Sequence, residues 1–247
     1  MINYFKYLFI IFVILIYSID SFAFKEDHLI NLMNKNECIN CDLSGANLSN
    51  LKFENTNLSG SNLKNAILEY SSLFNVNLSN ANLSNSNMEN INIIGSTFKE
   101  SNLEGAVLVD SHISNTNLSN SNLVNVVMVD SSLISVNLSN VDLSNANLVF
   151  VSFESAKLNE VNFENANLSD TKFNKTVLYK VNLKYSSLKN SQFKYSTVIN
   201  SDLSNSDLSS ATFSKTSIRE SNLSKCILLN TNFKNANIVN VIFDKKK

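Results

Sequence analysis

The stretch Cys41-Asp42-Leu43-Ser44-Gly45-Ala46-Asn47-Leu48-Ser49-Asn50 sets a rhythm that the chain keeps as far as Phe243. From Leu43 on, every residue whose number ends in 3 or 8 is apolar, with no insertion. Those 41 positions hold 25 Leu, 9 Phe, 4 Ile, 2 Met and 1 Val. The positions two residues earlier are nearly all Ala, Ser, Thr, Val or Cys. A period of five is neither the helical period of about 3.6 nor the strand period of about 2, so the pattern calls for a repeat architecture.

Within each unit the alternation is that of a short strand. The small residue and the large one point inward with one outward residue between them, and the next two residues, mostly Ser, Asn, Lys or Glu, turn a corner. Phe153, Phe173, Phe193, Phe213 and Phe233 recur every twenty residues, with Phe53 in the same phase. A coil of four units therefore stacks like on like. The opposite column, from Leu43 through Leu63 and Leu83 to Leu223, is nearly pure Leu, which suits a narrow interior. Forty-one units make about ten coils, a rod about 50 Å long at strand-like spacing. A leucine-rich repeat has a similar period, but its irregular Leu spacing does not fit.

The triplets Ala46-Asn47-Leu48, Ala81-Asn82-Leu83, Ala146-Asn147-Leu148 and Ala166-Asn167-Leu168 resemble the Ala-Asp/Asn-Leu-x-x consensus of the pentapeptide repeat family, over residues 41–243. The resemblance implies an all-β fold, a right-handed quadrilateral parallel β-helix. Three segments result: a signal peptide over 1–23, a helical cap over 24–40, and the β-helix over 41–247.

Met1 to Ala23 has Lys6 near its front, an apolar run from Tyr7 to Ile19, and small residues at Ser21 and Ala23, the pattern of a secretory signal. An exported protein, periplasmic or extracellular, is expected. The alternative is an uncleaved membrane anchor. Leu29, Ile30, Leu32 and Met33 then stand at helix-like spacing among charges, fit to cap the first coil.

Net charge conceals a division along the rod. Residues 24–170 carry 6 Lys against 16 Asp and Glu, whereas 171–247 carry 13 Lys and Arg against 4 acids. Lys172, Lys175, Lys180, Lys184, Lys189 and Lys194, beside Tyr179, Tyr185 and Tyr195, read as a cationic collar. Catalytic, cofactor and metal residues are all expected to be none. His28 and His112 read as surface residues without a second ligand or a triad partner. The serines read as small filler or corner residues with no base beside them. Cys38 and Cys41 offer either a disulfide that pins the cap or two small core fillers like Cys226.

One flank breaks the polar surface. Ile67, Tyr70, Val107, Val109, Val127, Val129, Val149 and Phe150 fall in outward phases of the second side, and Phe74, Ile94 and Ile134 on the next. The first side presents Asn62, Asn82, Asn102 and Asn122, where Asn82→Asp is expected to be nearly neutral. Contiguous exposed apolar area marks an interface. The expected function is a non-catalytic binding or scaffold module that meets an unidentified protein partner, or a second copy, through this flank. Membrane contact follows only if the signal segment is retained, and nucleic acid is not expected. The resemblance also implies an alternative, a cytoplasmic DNA-mimicking topoisomerase binder, against which stand the leader, the basic distal half and the missing C-terminal dimerisation helix. Mass spectrometry of the protein from its native host should find an N-terminus at Phe24. Recovery of intact Met1 in the membrane fraction would support the anchor.

Overall fold

The corners shape this chain. In the computed structural model, which describes residues 24–244, every fifth residue from Asn40 to Asn240 has a positive φ, between 50° and 69°. Twenty of these 41 positions are Asn, four Gly and three Asp, the residue types that tolerate left-handed backbone. Beside such a corner, the amide of Ala46 donates to the carbonyl of Leu43 at 3.0 Å, and the same closure recurs from Ser61 to Leu58 and from Ala81 to Leu78. The signal-peptide expectation for 1–23 and the lysines 245–247 lie outside the described residues.

Four units close one coil, so the sides can be numbered by their inward residues: Leu43 on the first, Leu48 on the second, Phe53 on the third and Leu58 on the fourth. Every pairing between coils is parallel and offset by twenty residues, from Glu37 with Asn57 to Asn222 with Ile242. One side of most coils straightens into a three-residue strand. On the third side these are β1 (Lys52–Glu54), β2 (Ser72–Phe74), β3 (Asn92–Ile94), β4 (His112–Ser114) and β5 (Ser132–Ile134), forming one parallel sheet in sequence order. The regular strand then moves to the fourth side, as β6 (Lys157–Asn159), β7 (Val177–Tyr179), β8 (Thr197–Ile199), β9 (Ser217–Arg219) and β10 (Asn237–Val239).

Inward Leu, Phe, Ile, Met and Val residues fill one continuous core. Phe153, Phe173, Phe193, Phe213 and Phe233 stack with ring centroids 4.5 to 5.2 Å apart and planes within 11°. Phe163 interrupts the opposite Leu column and meets Phe153 and Phe173 edge-on at 5.8 and 6.3 Å, the favoured alternative to stacking. The inward serines are more than filler. Ser71, Ser101 and Ser191 each donate a hydroxyl, at 2.6 Å, to the carbonyl three residues back, whereas Ser96 reaches Leu73 of the preceding coil and accepts from the Val76 amide. The first three add a second donor to carbonyls that already accept the turn amide, while Ser96 bridges a corner where no Val76-to-Leu73 backbone bond forms.

The Asn column is likewise structural. Asn62 donates its side-chain amide to Asp42, Asn82 to Asn62, Asn102 to Asn82 and Asn122 to Asn102, over 3.1 to 3.5 Å. The same Oδ1 atoms accept backbone amides two residues on, as Asn82 does from Ser84. Near-neutrality of Asn82→Asp is therefore corrected: a carboxylate keeps the acceptor but loses the donor.

The cap is α1, Glu26–Lys35, with acids in its first turn and Lys35 in its last, matching the helix dipole. Leu29 and Leu32 are buried and Met33 packs on the core, while Ile30 remains outside. His28 is not an ordinary surface residue: its Nδ1 accepts the Asp42 amide at 2.8 Å and ties the helix to the first coil. At the far end Leu228, Ile238 and Phe243, in the inward phase, are 37 to 40% exposed.

Two stability tests follow. Leu138→Asp, at a fully buried position, should cost about 4 kcal/mol or more in denaturant unfolding, and Asn82→Asp only about 1 kcal/mol. Burial works to raise the carboxyls of Asp202 and Asp207, yet hydrogen bonds from Ser204 and Ser209 and the charges of Lys184 and Lys189 outweigh it, leaving both below the ordinary 3.8. A depressed carboxylate stabilises the fold above its unfolded pKa, and that stability is lost as pH falls through the folded value. Thermal midpoints should therefore fall below about pH 4, and fall less steeply in Lys184→Met/Lys189→Met.

Candidate interaction surface

The outward residues of the second side take two distinct positions. Ile67, Val107 and Val127 lie mid-side, where Val107 pairs directly with Val127 in the next coil. Val109, Val129 and Val149 follow two residues later in successive coils. All six are half-buried, because parallel stacking at twenty-residue offset lays each against its neighbours along the rod. Val107 and Val127 thus cover each other, while Ile67 lies between Asn47 and Asn87.

Tyr70 and Phe150 differ. Both occupy the corner between the second and third sides, in left-handed backbone with φ of 56° and 62°, and they are 61% and 53% exposed. The same corner carries Asp110 and Asp130, also left-handed, and neither makes an ion pair among the described residues. Across the corner, Phe74 and Ile134 are exposed on the third side and Ile94 is half-buried. Tyr70, Val109, Val129 and Phe150 thus line one corner over five coils, with Asn90, Asp110 and Asp130 between the two rings, while Phe74 and Ile134 stand across the third side, next to the left-handed residues Asn75 and Ser135 that close it. Phase alone put these residues outside. It did not reveal that two aromatics stand where the backbone favours Asn or Gly, although the run of Asn and Gly at positions ending in 0 or 5 carries that signal.

The cationic collar resolves into an edge. Lys180 pairs with Glu160 at 3.0 Å, Lys184 with Asp202 at 3.2 Å and Lys189 with Asp207 at 3.3 Å. Lys172, Lys175, Lys194 and Lys215 make no ion pair among the described residues. Lys175, Tyr195 and Lys215 occupy the corner between the third and fourth sides in three successive coils. Lys215 Nζ donates to the Tyr195 hydroxyl at 3.2 Å, and Lys194 and Lys215 each lie 5.3 Å from the ring centroid. The Lys215 hydrogen bond, then the charges of Lys215, Lys194 and Lys175, lower the Tyr195 phenol below its ordinary range.

The remaining candidates stay apart. His112 is exposed in β4, beside Asn92 and Ser132 in register. Among the described residues no three His, Cys, Asp or Glu side chains converge as a metal site would need. Cys38 and Cys41, with Cα atoms 5.4 Å apart, are joined as a disulfide beneath α1. Ser61 bridges them, accepting from the Cys41 amide and donating to the Cys38 carbonyl. Cys226 is a free inward thiol whose pKa burial raises.

A family model described as a pentapeptide repeat region matches residues 33–108, 106–183 and 146–223, and a second, pentapeptide repeats in eight copies, matches 217–245. No curated protein matches the sequence. Among solved structures, HetL, a pentapeptide repeat protein involved in heterocyst differentiation regulation from Nostoc sp. strain PCC 7120, is 24% identical, with 81% of this chain and 87% of that one covered and a TM-score of 0.48. QnrB1, a plasmid-mediated fluoroquinolone resistance protein, is 20% identical over 79% and 92% of the two chains, with a TM-score of 0.30. Rfr23 from the cyanobacterium Cyanothece 51142 is 17% identical over 88% and 98%, with a TM-score of 0.18. The repeat matches run through the same coils whose corners and stacked core are described above, and the chain belongs to the pentapeptide repeat family.

Proposed function

We propose that the protein is a non-catalytic binding module, exported from the cytoplasm, that docks a protein partner along the corner strip of its acidic half. One observation carries the reading: Tyr70 and Phe150 expose aromatic rings from left-handed corners. Such backbone costs a residue other than Gly or Asn about 1 kcal/mol, and the exposed ring adds nothing to the core. The fold does not need either side chain. Aromatic anchors flanked by half-buried valines form the core of an interface, and Asp110 and Asp130 supply a charged rim that selects partners bearing cations. Export is read from the leader at 1–23, and no described helix is long and apolar enough to cross a membrane.

The test replaces Val109, Val129 and Phe150 together with Ser. Folding should persist, because all three lie outside the core. Sedimentation and pull-down from an envelope extract should show loss of a specific companion, or of self-association. Unchanged companions and oligomeric state in the folded triple variant would contradict the reading.

A further inference from the structure

The unpaired lysines and the outward face of the second sheet lie side by side. Along β7, β8 and β9, Tyr179, Ile199 and Arg219 are in register on adjacent coils, as are Val177, Thr197 and Ser217. Val177 is 51% exposed, and Tyr179 and Ile199 are half-buried. Lys175, Tyr195 and Lys215 stand on the margin from which these three strands begin, with Lys194 beside them and Arg219 on the sheet itself. The bordering acids are few. Glu160 is held by Lys180, Glu220 stands on the far margin, and Glu154 lies on the third side.

We propose that the fourth side of the basic half, with its Lys175–Tyr195–Lys215 corner, docks on the surface of an anionic lipid bilayer. Three features select this partner. Lys175, Lys194 and Lys215 make no ion pair among the described residues, and an array of lysines is drawn to anionic headgroups. The residues between the charges are Val177, Ile199 and two tyrosines, and Tyr is enriched at the level where apolar chains meet headgroups. The shape is a flat parallel sheet ending in a convex corner, which meets a plane. A flexible polyanion is held instead by a groove. The Tyr195 ring lies against the Lys194 and Lys215 ammonium groups, and its lowered phenol pKa reports the same convergence of cations. This face is separate from the corner strip of the acidic half, so each proposal stands or fails alone.

The test is co-sedimentation with vesicles of phosphatidylcholine alone or with about one-third phosphatidylglycerol, at low salt and at about 0.5 M salt. The full-length chain and the chain from Phe24 are run side by side, which separates adsorption by the apolar leader from adsorption by the edge. The chain from Phe24 should pellet with the anionic vesicles only, and high salt should release it. Lys175→Glu/Lys215→Glu should weaken pelleting at least about tenfold, since two charges at the surface are reversed. This variant keeps the fold, because Glu100, Glu160 and Glu220 already occupy left-handed corners, and an unchanged thermal midpoint checks it. Equal pelleting with both vesicle types would overturn the proposal, as would no pelleting, or undiminished pelleting of the folded double variant. Retention on heparin or duplex DNA without pelleting would also overturn it and assign the edge to a polyanion.

Discussion

Each coil depends on left-handed backbone at its four corners. An L-residue with a side chain resists that conformation, so the corner is where composition and geometry bind most tightly. Half of the corners answer with Asn, which tolerates the region, and a few with Gly. At Gly60 and Gly105 a Cβ would fall 2.1 Å from the Asn40 Oδ1 and 2.4 Å from the Asn85 Oδ1, so a side chain there requires the Asn side chain of the preceding coil to swing aside. At these places the corner amide of the preceding coil leans into the space a side chain would take. Once the corners are set, strand direction, twenty-residue register and an inward face for the large residue of each five-residue unit follow from stacking.

Stacking then makes the rod cooperative along its length. A coil buries its apolar residues only against neighbouring coils, as repeat architectures require. Like residues meet like: aromatic rings overlap face to face, Asn amides chain end to end, and valines shield valines. The cap at α1 covers the first coil with Leu29 and Leu32 and is anchored by His28 and by the disulfide beside it. The last coils show the contrast, with core-phase residues such as Leu228 and Phe243 open to solvent.

Much of this was legible in the sequence. The five-residue phase placed Leu138, the Phe column and the small inward residues correctly, because burial in a stacked coil depends on phase and little else. Side-chain hydrogen bonding was not legible. Ser71 looks like filler until its hydroxyl is seen on the Leu68 carbonyl, and Asn82 looks like surface until its amide is seen on Asn62, since both bonds depend on atoms that periodicity does not locate. His28 was misread for the same reason. Charge was half legible: sequence proximity made a collar of the lysines, but pairing across coils at an offset near twenty neutralises Lys180, Lys184 and Lys189 and leaves Lys175, Lys194 and Lys215 uncompensated on one edge.

The functional account turns on residues that the corners do not favour. Tyr70 and Phe150 stand in left-handed backbone that an aromatic residue resists, and the proposed function reads this local conflict as a site kept for recognition. The most direct measurement is the unfolding free energy of Tyr70→Asn and Phe150→Asn, each compared with the parent in denaturant. The account predicts that both substitutions stabilise the protein, by about 0.5 to 1 kcal/mol each, because Asn accepts the left-handed corner more readily. A loss of stability in both would show that the rings serve the fold itself, and would contradict the claim that they are held for a partner.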